Sequence, residues 1–160
     1  MKEREILFLQ SIEDIIDHPS IRQMSHFTQH VSSVTCLEHS LFVSYMSFCI
    51  CQFLKWDSRA AARGGLLHDL FLYDSRVKES HEGIHGFSHP KTALKNAEKV
   101  CELSQKEKDI IVKHMWPLTI RFPRYKESYA VTVADKICAT IEFCHAYHLM
   151  RTTKKLAIYA

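Results

Sequence analysis

Glycine and proline are scarce in this chain, 4 of each in 160 residues, and that shortage argues against a turn-rich, all-strand fold. No apolar run reaches the roughly 20 residues that a membrane-spanning helix needs. The most apolar stretch, Leu41 to Leu54, is shorter and carries several polar side chains. The amino end alternates charges before a short apolar patch, which is not the pattern of a signal peptide. Neither charge sign is in large surplus. The formal net charge is +3, with Lys and Arg dispersed among Asp and Glu, so nothing calls for a nucleic-acid partner, although an anionic small molecule is compatible with it. The 6 cysteines, at 36, 49, 51, 101, 138 and 144, lack the pairing of a zinc finger and sit in apolar contexts. They read as buried free thiols, which suits a reducing compartment. The expectation is a cytoplasmic protein with no membrane segment. Internal repeats, low-complexity tracts and interdomain linkers are also missing, so residues 1–160 are expected to form a single domain.

What is present favours helices. Hydrophobic residues make up 46% of the chain and charged residues 24%, enough to bury a core without staples. Apolar residues recur at helical spacing over 3–17, ending before His18-Pro19. A long helix is expected after a cap at Thr35 or Ser33, running through His39 to about Trp56. A second follows the turn at Asp57 and Ser58 and extends from Arg59 to about Asp74. The polar segment from Ser75 to Phe87, with His81 and His85, reads as a rim loop. Ser88-His89-Pro90 is expected to open the next helix, and Ser104 with Glu107 forms a capping box for another that ends before Pro117. A last long helix is expected from about Glu127 to Leu149, followed by a basic tail from Arg151. The fold class expected is an all-α bundle.

One stretch conflicts with an ordinary core. Arg63-Gly64-Gly65-Leu66-Leu67-His68-Asp69-Leu70-Phe71-Leu72 places two adjacent ionisable residues within an apolar run, which reads as the middle of a helix buried on most faces. Metal coordination is a strong reason for burying such a pair. Neighbours on a helix point roughly 100° apart, so the two reach a shared centre obliquely, but a carboxylate can bridge two ions beside one imidazole. Gly64 and Gly65 each weaken a helix by about 1 kcal/mol and are better explained by close approach of another helix or a ligand. His39, His89, His114 and Asp135 lie on or at the ends of other expected helices, which is how bundles build metal centres from facing elements. Any one of these histidines alone reads as structural. Their recurrence favours a metal.

The ordered set His39, His68-Asp69, His89, His114 and Asp135 resembles the HD-domain superfamily of metal-dependent phosphohydrolases, particularly its small histidine-rich members. The blocks that carry the resemblance are Glu38-His39-Ser40, Ala62 to Asp69, Ser88-His89-Pro90-Lys91, Lys113-His114-Met115-Trp116-Pro117-Leu118 and Val133-Ala134-Asp135-Lys136, and they span about 35–145. The resemblance implies an HD-domain-like helical bundle in which His39, His68, Asp69 and Asp135 hold a first metal. It also implies that Asp69 bridges to a second metal, completed by His89 and His114. Two divalent transition metals are then expected, iron or manganese in preference to zinc, cobalt or nickel, since imidazole and carboxylate donors suit these ions. The implied activity is hydrolysis of a phosphomonoester or phosphodiester of a small nucleotide-like molecule by metal-activated water, with Asp69 and His68 at the catalytic centre.

Lys136, His85, Arg63 and Lys91 are the residues expected to contact an anionic, phosphorylated small molecule. Two other classes stay open. Some histidine-rich HD-fold proteins resemble this chain in ligand number yet are di-iron oxygenases, and a noncatalytic binding protein could retain the metal for folding. The Gly-Tyr-Pro signature that accompanies cyclic-dinucleotide hydrolysis in one subgroup is absent. Apolar residues on the outer helices allow a homodimer without selecting its interface.

Overall fold

The computed structural model describes residues 3–28, 33–75, 77 and 84–144. His81 with most of the expected rim loop, the last expected turn of the final helix at 145–149, and the basic tail from Arg151 lie outside the described residues. Among those described there are seven α-helices, one 3-10 turn at Met24–His26 and no sheet. The helices are α1 (Glu3–Ile12), α2 (Pro19–Gln23), α3 (Cys36–Phe53), α4 (Ser58–Leu67), α5 (His85–Val100), α6 (Gln105–Lys113) and α7 (Lys126–Phe143). The all-α expectation holds. None of these helices is long and apolar enough to cross a membrane.

The helix starts follow local chemistry. Thr35 and Glu38 form a reciprocal capping box on α3, as Ser104 and Glu107 do on α6, and the Asp57 carboxylate accepts from Ala60 N at 3.0 Å to cap α4. α4 lies at the centre, packing against α1, α3, α6 and α7. One apolar cluster gathers Phe8, Ile12, Ile15, Phe48, Leu66, Leu67, Leu70 and Ile111. A second gathers Phe42, Val43, Ala61, Ile110, Val131, Ala134 and Cys138. Among the cysteines Cys36, Cys51 and Cys138 are buried and all six are free, but Cys144 is exposed, contrary to the expectation of buried thiols throughout.

Gly64 and Gly65 are where neighbouring helices come closest. A Cβ on Gly65 would meet the backbone Cα of Ser44 on α3 at 2.9 Å, and one on Gly64 would meet two carbons of Ile110 on α6 at 2.8 Å. Ser44 and Ser47 keep the facing surface of α3 small. The Ser44 hydroxyl donates to Ala62 O at 2.6 Å, so the tight crossing is also hydrogen-bonded. Glycine to alanine inside a helix ordinarily stabilises by about 0.5–1 kcal/mol. Here the sign should reverse: Gly65→Ala is expected to destabilise by about 1–3 kcal/mol through overpacking against a backbone that cannot yield. Urea unfolding measures this, and a Gly65→Ala protein as stable as the parent would contradict the close approach.

Three expected boundaries move. The first helix stops at Ile12 and continues to residue 17 only as turns. α4 ends at Leu67, so His68 is its C-cap and Asp69 lies beyond it, where a continuous helix to Asp74 was expected. The stop is made by tertiary contacts. The Cys36 thiol donates to Asp69 O at 3.3 Å, Asn96 Nδ2 donates to Leu70 O at 2.9 Å, and Leu72 takes a left-handed φ of 56°. These satisfy carbonyls that a helix would have paired internally. Finally, α5 starts at His85 rather than at Ser88-His89-Pro90, which puts Pro90 inside the helix and His85 on its first turn instead of in a loop.

Candidate metal centre

All six residues expected as ligands converge. His39 comes from the first turns of α3, His68 from the end of α4, Asp69 from the turn after it, His89 from α5, His114 from the C-cap of α6 and Asp135 from α7. Every one is buried. His39, His68 and Asp135 each offer a donor atom within 4.8 Å of the others, and so do His68, Asp69 and His114. These buried groups could hold metal ions.

The four imidazoles share one orientation. His68 Nδ1 donates to Gly65 O at 2.7 Å, His114 Nδ1 to Ile111 O at 2.9 Å and His89 Nδ1 to His85 O at 2.7 Å. His39 Nδ1 donates to the Glu142 carboxylate at 2.7 Å. A carbonyl can only accept, so the proton is fixed on Nδ1 and Nε2 points to the centre, the arrangement in which a neutral imidazole ligates a metal. His68 and His114 do this while capping their own helices, because each donates to a carbonyl in the last turn that lacks an internal partner.

Asp69 occupies the middle. Its Oδ2 faces His68 Nε2 at 3.3 Å and His39 Nε2 at 4.0 Å, while its Oδ1 faces His89 Nε2 at 3.2 Å and His114 Nε2 at 3.5 Å. Asp135 Oδ1 approaches His39 Nε2 at 3.2 Å and His68 Nε2 at 3.7 Å. The carboxylate of Asp69 thus presents one oxygen to each of two ligand sets.

Two features fit a cation better than they fit an ordinary polar core. His68 Nε2 is buried and has no partner in hydrogen-bonding geometry. The Nε2 atoms of His89 and His114 are 2.8 Å apart. With both Nδ1 atoms already donating, two lone pairs face each other there unless a cation intervenes. Two nitrogens bound at about 2.0–2.1 Å to one ion and at a right angle would be separated by about 2.9 Å.

The electrostatics agree. Burial alone would raise the Asp69 carboxyl, but the positive charge of His68 beside it holds it well below the usual range. Asp135 is likewise held low against burial by its hydrogen bond with His39 and the nearby charge of His68. Burial pushes the His39 imidazolium down, yet its bonds to Asp135 and Glu142 outweigh this and raise it to about 9. His68 reaches about 10 because Asp69 and Asp135 overcome its burial. His114 falls to about 3, through burial and then the neighbouring His68 charge, and stays neutral.

Without metal, therefore, His39 and His68 carry protons at pH 7, and ions must displace them from Nε2. The folded pKa values are raised, so this proton-held arrangement stabilises the metal-free protein below the ordinary histidine range and is lost as pH rises through 9 to 10. Metal uptake at pH 7 should release about two protons per chain, and metal affinity should climb with pH up to that window. Calorimetric titration in buffers of different ionisation heats measures the release. Uptake without proton release would contradict it.

A cavity of about 290 Å³ opens onto the centre, lined by Asp69, His85, His89, His114, Asp135 and Lys136 together with Ser75, Gly86, Met115 and Ala139. Of the four residues expected to contact an anion, two line it. Lys136 Nζ lies 2.7 Å from Asp135 Oδ2 and 3.3 Å from His114 O. His85 stacks on His89 at 4.5 Å and its Nδ1 is 3.0 Å from the Tyr73 hydroxyl.

The other two are elsewhere. Arg63 is buried on another face of α4, paired with Glu107 and Asp14, and borders a separate groove of about 490 Å³ between them. It is a structural ion pair rather than a contact of this cavity. Lys91 borders a different cavity on the far side of α5. The sequence reading missed Glu142, the fully buried carboxylate behind His39. The available signal was an acidic residue seven positions after Asp135, two helical turns on along the same buried face.

No protein-family model matches the chain, and no curated protein matches it.

Proposed function

We propose that this protein is a metal-dependent phosphohydrolase that cleaves a phosphomonoester or phosphodiester of a small, nucleotide-like molecule. The observation that carries the reading is the pair of ligand sets sharing Asp69 at the floor of a cavity whose rim holds Lys136. The resemblance of the ordered His and Asp residues to HD-domain phosphohydrolases supports the same chemistry. His39, His68 and Asp135 would hold one divalent ion, His89 and His114 the other, and Asp69 would join them, with iron or manganese the preferred occupants. Such ions supply Lewis-acid activation of water and neutralise charge on phosphoryl oxygens.

The remaining work falls to the chain. Lys136, about half exposed and anchored on Asp135, can swing its ammonium to a phosphoryl oxygen without leaving the cavity. Asp69 lines the cavity and presents one oxygen to each set, so its carboxylate would hold the two ions side by side at the cavity floor, where the ester and the attacking water meet. Tyr73 and the stacked ring of His89 hold His85 in one orientation at the rim, where its imidazole can hydrogen-bond the ester. Buried imidazoles behind Asp69 keep solvent to the cavity side.

Assay of the metal-reconstituted protein on a panel of phosphate esters, with and without oxygen, tests the reading. Phosphate release that needs divalent metal and is indifferent to oxygen is expected. Oxygen consumption with an oxidised organic product would instead indicate a di-iron oxygenase. A metal-replete protein inert across the panel would indicate a binding role.

A further inference from the structure

The outward side of α7 carries no negative charge. Tyr129, Val133, Lys136, Ile137, Thr140 and Phe143 are all exposed. At 100° per residue they fall within an arc of about 120°, and Glu127, Asp135 and Glu142 fall on the opposite side, buried in the core. The charged residues left on the exposed face of this 18-residue helix are Lys126 and Lys136.

The loop before the helix continues the pattern. Leu118, Ile120 and Phe122 are exposed, Ile120 at 91%, and Arg121 and Arg124 are interspersed with them. The rings of Trp116 and Phe122 lie 5.9 Å apart and those of Trp116 and Tyr129 5.7 Å apart, which joins the loop to the helix stripe. From Ile110 to Cys144 every acidic side chain is buried, and neither Arg121 nor Arg124 has a carboxylate partner among the described residues. The face is thus apolar and cationic in a chain whose net charge is only +3.

Exposed apolar side chains clustered among polar ones mark a binding surface, and the charge selects what covers it. A two-fold dimer through this face would set Arg121, Arg124, Lys126 and Lys136 against their own copies with no exposed carboxylate to meet them, an arrangement that costs affinity. Residues 145–160 carry Arg151, Lys154 and Lys155 and no acidic residue, so they bring no counter-charge either. Nucleic acid would supply anions but would leave Ile120 and Phe122 against sugar and phosphate. A bilayer surface satisfies both parts. Apolar side chains enter the boundary of the acyl chains, Lys and Arg stretch to lipid phosphates, and Trp and Tyr lie at the headgroup level.

We propose that this face, formed by the loop 116–126 and the outer side of α7, docks on a membrane surface rich in anionic phospholipid. Docking of this kind lies in the interface and needs no helix that crosses the bilayer. Lys136 belongs both to the face and to the rim of the metal cavity, so docking would hold that cavity beside the headgroups. The proposal stands whether or not the centre hydrolyses phosphate esters.

Cosedimentation of the full chain with lipid vesicles tests it, comparing phosphatidylcholine alone with phosphatidylcholine containing about one-third phosphatidylserine. Binding to the mixed vesicles should be at least roughly tenfold tighter and should weaken as salt is raised. Ile120→Asp, and separately the double substitution Arg121→Glu with Arg124→Glu, should each lower it roughly tenfold or more. Because these side chains are exposed, the thermal melt followed by circular dichroism should not move. Equal binding to the two vesicles, or none to either, overturns the proposal. So does binding that Ile120→Asp leaves unchanged, which would indicate a contact made through charge alone, as with nucleic acid or an acidic protein. A parent that sediments as a dimer and becomes a monomer in Ile120→Asp would give the face to a second copy instead.

Discussion

Asp69→Ala is expected to remove both metal ions and with them all activity above background, while leaving a folded helical protein. Among the described residues Asp69 is the carboxylate that faces both ligand sets: Oδ2 serves His39 and His68, and Oδ1 serves His89 and His114. Without the carboxylate, each set loses its only shared anion, and His89 and His114 are left with two facing Nε2 atoms at 2.8 Å. That pair would have to separate or share a proton. His89→Ala provides the contrast, because it strips only the second set and should leave one ion, held by His39, His68, Asp69 and Asp135. Metal content of the purified variants, read beside their circular dichroism, decides this. An Asp69→Ala protein that keeps two ions would remove Asp69 from the bridge, and a His89→Ala protein that keeps two would remove the second set.

Glu142→Gln is expected to weaken metal binding roughly 10- to 100-fold, the usual cost of losing a partner behind a ligating histidine. Glu142 makes no contact with the cavity. It accepts the Nδ1 proton of His39 at 2.7 Å, and its negative charge makes Nε2 a better donor to an ion. Glutamine keeps the shape and an acceptor but removes the charge, so the fold should survive while affinity falls. Competition against a chelator of known strength measures the loss. A change smaller than about threefold would mean that His39 is oriented by packing alone, as the fully buried faces of α3 and α7 could also do.

Glu142 also shows how far the sequence could be read. His68, Asp69 and Asp135 were legible as ionisable residues within apolar runs, whereas His39, His89 and His114, on or at the ends of other expected helices, gained their weight from the resemblance of the ordered set. The all-α class was legible from the same periodicity and from the caps at Thr35, Asp57 and Ser104, which are local signals. Glu142 carries the same signal as Asp135 but has no distinguishing neighbour. Its role appears only when α3 is laid against α7 and His39 is found opposite.

The end of α4 was hidden for a related reason. An apolar run from Leu66 to Leu72 looks the same whether it is a buried helix or a buried turn. What ends the helix is Cys36 and Asn96, whose hydrogen bonds to the carbonyls of Asp69 and Leu70 come from distant segments. The consequence is chemical. Released from the helix, the Asp69 side chain reaches both ligand sets at once, where a mid-helix aspartate had been expected to meet the centre obliquely.

Arg63 shows the opposite case. Arg63 lies one turn before His68, and proximity in sequence suggested a phosphate contact, but its guanidinium is taken by Glu107 and Asp14.

Anomalous diffraction from crystals of the metal-loaded protein, recorded across the absorption edges of iron and manganese, tests the central arrangement most directly. Two anomalous peaks are expected on either side of the Asp69 carboxylate, one within about 2.0–2.3 Å of donor atoms of His39, His68 and Asp135, the other equally close to His89 and His114. A single peak, or peaks remote from the converging Nε2 atoms, would contradict a bridged pair of sites centred on Asp69.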